Sequence, residues 1–147
     1  MKQKLKLALV GAGERGQYCY APYAKMHGYE IEFVAVADPH KGRREKFVQD
    51  YHVPAEGVFE TAEQFFARPR MAAAVLICTQ DSQHYAYACQ AIDLGYSILL
   101  EKPISPSARE CLDLQRRAEE KGTQIMVCHV MRYTKFYRKL KELIDSG

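Results

Sequence analysis

Val10-Gly11-Ala12-Gly13-Glu14-Arg15-Gly16 closes the apolar run Leu5 to Val10, and the reading of this stretch decides the fold. Read as strand, tight turn and helix start, it places three glycines where a dinucleotide pyrophosphate would lie. Gly11 takes the backbone angles of the turn, Gly13 lets the chain approach the phosphates, and Gly16 lets the helix pack closely on its strand. The N–H groups of the first helical turn then face the anion, helped by the helix dipole. Three glycines in six residues are weak evidence alone. A second apolar run, Ile31 to Ala37, strengthens it by ending in Asp38, at the distance where an acidic residue meets the adenosine ribose.

Working outward, apolar runs and helical patterns alternate along the chain. Strands are expected at Leu5 to Val10, Ile31 to Ala37, Val58 to Glu60, Ala72 to Cys78, Ser97 to Leu100 and Ile125 to Val130. The first helix should run from about Arg15 to Met26, with a kink or early stop at Pro22 and Gly28 as its cap. Helices are further expected over Lys41 to Tyr51, from Thr61 with Phe65 and Phe66 turned inward, and over Gln83 to Leu94, capped by Asp81 or Ser82. Ser105 or Ser107 opens another to Lys121, its inner face carrying Ala108, Cys111, Leu112, Gln115 and Ala118. The tail, Phe136 to Ile144, is amphipathic, with Phe136, Leu140 and Ile144 in one stripe. Six strands alternating with helices make an α/β fold. The glycine turn selects a Rossmann doubly wound parallel sheet, order 3-2-1-4-5-6, in one domain spanning residues 1–147.

Composition narrows the function classes. A formal charge of +3 over 147 residues is too small and too dispersed to argue for nucleic acid, and none is expected as a partner. No run approaches a membrane span. The five cysteines form no C-x-x-C pair, and without a secretory signal they read as reduced core thiols of a cytoplasmic protein.

Ligands of such sheets sit outside the carboxyl ends of the strands. The glycine loop, Asp38, Thr79-Gln80, Glu101-Lys102 and the segment around His129 all fall there. Asp38 either accepts hydrogen bonds from both ribose hydroxyls, favouring NAD, or ends a strand before Pro39. Lys41, Arg43 and Arg44 keep NADP open. His84 opens a helix at the same edge, as packing residue or cofactor contact, and has no metal-ligand spacing around it. Tyr18, Tyr20 and Tyr23 read as core and rim. Glu101-Lys102-Pro103 is the most unusual constellation: a charged pair after a buried strand, read as a site or as a salt-bridged strand end. A lysine there suits holding a substrate hydroxyl as hydride leaves.

These residues resemble the N-terminal domain of the glucose–fructose oxidoreductase and inositol dehydrogenase (Gfo/Idh/MocA) family. The resemblance rests on Gly11 to Gly16, Ala35 to Pro39, Ile77-Cys78-Thr79 through His84, Gly95 to Pro103 and His129 through Tyr133. It implies NAD(P)-dependent oxidation of a hydroxyl on a sugar, cyclitol or related polyol. Lys102 matches the active-site lysine. Gly11, Ala12, Gly13, Glu14, Arg15, Gly16, Asp38, Thr79, Gln80, His84, Glu101 and Lys102 itself are expected to line the cofactor cleft. Asp81 stands where many members have asparagine, and Lys135 where a proline commonly follows. In the family a second α/β domain brings the acid/base histidine. The chain is therefore expected to be a truncated N-terminal part, inactive alone, of a protein that is a homo-oligomer at full length. A non-catalytic NAD-binding sensor is the rival reading. A methyltransferase is disfavoured by the Glu-Lys-Pro triplet.

Overall fold

The computed structural model describes residues 3–147. β1 (Leu5–Val10), β2 (Ile31–Ala37), β3 (Val58–Phe59), β4 (Ala74–Ile77), β5 (Ser97–Leu100) and β6 (Ile125–Val127) form a sheet in the order β3-β2-β1-β4-β5-β6. Every pairing is parallel. This is the Rossmann arrangement expected from the glycine turn. Its central strands are buried on both faces, which is why they read as continuous apolar runs.

The connecting helices are α1 (Pro22–Met26), α2 (Lys41–Tyr51), α3 (Ala62–Phe66), α4 (His84–Asp93), α5 (Ala108–Lys121) and α6 (Lys135–Asp145). One core layer packs Val75, Ile77, Ile98 and Leu100 against Phe65, Ala88, Ala91, Ile92 and Leu114. The other packs Leu9, Val36 and Leu76 with Ala24, Phe33 and Phe47. Phe33 and Phe47 meet edge to face with centroids 5.1 Å apart, an arrangement the ring quadrupoles favour.

Several local expectations are corrected. The first helix is not continuous: Glu14–Tyr20 is a π-helical segment, Ala21 N–H donates to the Gly16 carbonyl, and Pro22 restarts the chain as α1. Proline has no N–H to extend the ladder, and at a first turn none is needed. Gly28 is not the cap, which falls on His27. β4 is shorter than its apolar run, and before it the Arg70 guanidinium donates to the carbonyls of Ala72 and Ala73, the second also accepting from the Ser97 N–H. At its other end Cys78 turns away after one more bond, to the Val10 carbonyl.

β3 stops at Phe59, and the Glu60 N–H donates to Gln64 Oε1. β6 stops at Val127, where His129 N–H turns back onto the Val127 carbonyl and Val130–Tyr133 forms a 3-10 turn. Neither Asp81 nor Ser82 caps the α4 region: Gln80 and Gln83 form a reciprocal capping box ahead of it. Ser107 caps α5, as one of the two serines expected, but the buried face of α5 is Leu114 and Ala118, while Leu112 is exposed. Of the five cysteines only Cys128 is buried, and Cys19 is exposed. The apolar side chains Phe136, Leu140, Leu143 and Ile144 of α6 are exposed. No helix among the described residues is long and apolar enough to cross a membrane.

Candidate functional site

The glycine loop leaves β1 at the carboxyl edge of the sheet, and its three glycines are not equivalent. Gly11 has φ +94°, and a Cβ there would lie 2.5 Å from the Cys78 carbonyl oxygen. A Cβ on Gly16 would lie 2.3 Å from the Gly11 carbonyl oxygen. The fold itself demands both glycines. Gly13 is different. Its backbone is extended, with φ −78° and ψ −162°, which any residue adopts. A Cβ on it would meet only the Arg43 Nη1, 3.8 Å away. Nothing in the packing requires glycine at 13, so the bare backbone is left as a cradle open to a ligand.

Asp38 ends β2 and is buried. Its Oδ2 accepts from the Ala12 N–H at 2.7 Å, and its Oδ1 from the His40 N–H at 2.8 Å. The carboxylate thus stitches the glycine loop to the start of α2. Arg44 donates to the Asp38 carbonyl at 2.7 Å and pairs with Glu60, which leaves Arg43 as the cation beside the loop.

On the far side of β1 stands a second cluster. Glu101 follows β5 and is 4% exposed. Its Oε1 accepts from Arg15 Nε at 2.7 Å and from the Tyr20 hydroxyl, and its Oε2 from the Lys102 N–H at 2.9 Å. Burial pushes the Glu101 carboxyl up, but these three donors outweigh it and hold the group below the ordinary carboxylate range. Burial and the neighbouring Cys128 and Glu101 push the Tyr20 hydroxyl well up, so it stays a donor. The salt bridge of the Glu-Lys-Pro triplet is therefore Glu101 with Arg15. Lys102 makes no ion pair among the described residues, and its side chain is exposed after a backbone N–H fixed by Glu101. The Lys102–Pro103 peptide is cis.

Thr79 and His84 complete the edge. The Thr79 Oγ1 and the Gln17 Nε2 are buried without a hydrogen-bond partner among the described residues. His84 is wholly buried, with Nδ1 2.6 Å from the Pro103 carbonyl and Nε2 3.2 Å from the Thr79 carbonyl. It sits beneath the cleft rather than on its open surface. Glu14 and Gln80 are exposed, as is His129 past β6. A groove of about 770 Å³ between Lys4, Lys6, Tyr29 and Arg70 lies at the opposite end of the sheet from all of these residues. No group of metal-ligating side chains occurs among the described residues.

Tyr20 and Gln17 are the residues that sequence reasoning missed. Helical spacing turns residues five apart away from each other, whereas i to i+5 bonding brings Arg15 and Tyr20 to one face. A dinucleotide fits this arrangement: the cradle at Gly13 and the unpartnered Thr79 hydroxyl are both features that the fold leaves for a ligand.

A family model described as an oxidoreductase family with an NAD-binding Rossmann fold, Gfo/Idh/MocA, matches residues 5–129. The chain belongs to the Gfo/Idh/MocA family. It is 32% identical over 145 residues to the inositol 2-dehydrogenase of Pseudomonas savastanoi pv. phaseolicola, covering 97% of this chain and 42% of that protein. With the scyllo-inositol 2-dehydrogenase (NADP(+)) IolW of Bacillus subtilis it shares 26% over 144 residues, covering 97% and 38%. The WlbA dehydrogenase from Bordetella pertussis, solved with NADH and UDP-GlcNAcA, superposes with a TM-score of 0.85 at 19% identity, covering 99% of this chain and 43% of that one. That likeness establishes the fold. Among these Gfo/Idh/MocA relatives the chain spans about two-fifths of the curated proteins' length. It is an NAD-binding Rossmann domain of the family.

Proposed function

We propose that this chain is the nucleotide-binding part of a dehydrogenase that oxidises a hydroxyl of a cyclitol, sugar or related polyol. The observation that carries the reading is Gly13, a glycine that neither its backbone angles nor its neighbours require. The names of the relatives support the polyol class.

When bound, nicotinamide supplies a hydride acceptor. Gly13 and the Thr79 hydroxyl hold the dinucleotide at the strand ends. Asp38 fixes the loop under it and favours NAD, whereas Arg43 beside Gly13 gives a 2′-phosphate a partner. Lys102 places its ammonium, held by no carboxylate of the cluster, beside the substrate hydroxyl, whose proton passes to the acid/base histidine that the family resemblance puts in a second domain. Its charge steadies the developing alkoxide.

The test joins this chain to the remaining part of the Pseudomonas inositol dehydrogenase and follows NADH production from inositol and from sugars. Lys102→Met should lower turnover by about 10²–10⁴, the worth of a positioned acid/base group, with the thermal midpoint unchanged. The 147-residue chain alone should produce no NADH. Near-normal turnover with a lowered midpoint would make Lys102 structural and remove this reading of the site.

A further inference from the structure

His84 lies at the first position of α4 with 0% exposure, yet neither ring nitrogen faces a side chain. Nδ1 faces the Pro103 carbonyl at 2.6 Å and Nε2 the Thr79 carbonyl at 3.2 Å. A carbonyl only accepts, so the ring must be the donor in either bond, and a neutral ring has one N–H to give. The shorter distance assigns that proton to Nδ1, toward Pro103. The two carbonyls belong to the loops that follow β4 and β5, one carrying the unpartnered Thr79 hydroxyl and the other Lys102.

We propose that His84 is a positioning residue for Lys102, cross-linking the Lys102-Pro103 turn to the end of β4 so that the lysine leaves the sheet edge from a fixed backbone. Residue 102 is then anchored on both sides. Its own N–H is held by Glu101 Oε2 at 2.9 Å, and the carbonyl of the next residue is held by His84. Only the lysine side chain is left exposed. An apolar ring of similar volume would fill the site but could not make the bond. The cross-link rests on the proposed function for its meaning, because a fixed lysine matters where a substrate hydroxyl must be met.

Amide hydrogen exchange of the 147-residue chain, followed residue by residue by NMR without any nucleotide, tests the cross-link. His84→Phe removes the N–H and both ring nitrogens. It should speed exchange at Lys102 by about fivefold to tenfold, the worth of one net hydrogen bond in a local opening, and leave the β1 amides within about twofold. His84→Asn puts an amide nitrogen near the position of Nδ1 and should restore protection at Lys102. His84→Gln, whose nitrogen reaches toward Thr79 instead, should not.

Equal acceleration at all amides, or none at Lys102, would make His84 an ordinary core residue and overturn the proposal. If H84F does not fold, H84N and H84Q decide the matter, and equal protection of Lys102 in both refutes it. A parallel NADH fluorescence titration of the unaltered chain keeps the two readings apart. Absent NADH binding counts against the proposed function, while the exchange at Lys102 still decides the cross-link.

Discussion

Replacing Arg15 by methionine probes the cluster that anchors the Glu-Lys-Pro turn. The Glu101 side chain is 6% exposed and accepts three hydrogen bonds, of which Arg15→Met removes the charged one. Breaking a buried ion pair from one side costs about 3–5 kcal/mol, and losing an exposed one about 0–1 kcal/mol. Arg15 is 42% exposed, so water reaches its place once it is gone, and the expected loss is about 2 kcal/mol. An unfolding entropy of about 2.1 cal/mol/K per residue over 147 residues converts this to a midpoint lowered by about 6 °C at pH 7.

The pH dependence has a definite sign. Burial raises the Glu101 carboxyl, and the Tyr20, Arg15 and Lys102 donors more than offset that, so the folded pKa lies below the unfolded one. Stability from such a group is present above the unfolded carboxylate pKa, about 4.3, and is lost as pH falls through the folded value. The gap between parent and variant should therefore be widest near neutrality and narrow as the pH falls below about 4. Thermal melts by circular dichroism from about pH 8 to about pH 3 measure it. Equal midpoints at pH 7, or a gap that stays constant into acid, would refute the assignment of Arg15 as the counter-ion of Glu101.

Two further substitutions address the adenosine side. Asp38→Asn turns one acceptor into a donor facing the N–H of Ala12 or His40, and should cost about 1.5–3 kcal/mol and weaken NADH binding together. An unchanged midpoint in a thermal melt would show that the carboxylate does not hold the loop. Arg43→Ala should weaken NADPH by about tenfold, as expected for the loss of one charge-assisted contact, and change NADH by less than about twofold. Equal losses for both nucleotides in calorimetry would place Arg43 away from the 2′ position.

The strand order was legible because each clue was local and agreed with the next. Continuous apolar runs gave the strands, Gly11 and Gly16 gave the turn, and Asp38 marked the end of the second strand. Element ends were less legible because they are set by bonds across the chain, as where Cys78 gives its N–H to the Val10 carbonyl and then leaves the sheet. The phase of α5 was misread because Leu112 and Leu114 are equally apolar, and only the position of α4 decides which is covered.

At the site, the members were readable and their partners were not. Glu101 looked like the mate of its neighbour Lys102, but the two emerge from a turn that sends the carboxylate inward, where Arg15 and Tyr20 wait across 86 and 81 residues of chain. The pairing of Arg15 with Tyr20 depends on a π-helical segment that no residue type announces. His84 was placed at the right edge, but its burial under the two loops is a property of the assembled sheet.

The proposed role of Gly13 in holding a dinucleotide stands or falls on calorimetric titration of NADH into the G13V and G16A variants. Gly16→Ala puts a Cβ against the Gly11 carbonyl and should lower the thermal midpoint, while the Cβ of Gly13→Val meets only Arg43 Nη1, 3.8 Å away, and the variant should melt like the parent. With the fold intact, G13V should give no binding isotherm where the parent gives one. A G13V protein that binds NADH as the parent does would contradict the account.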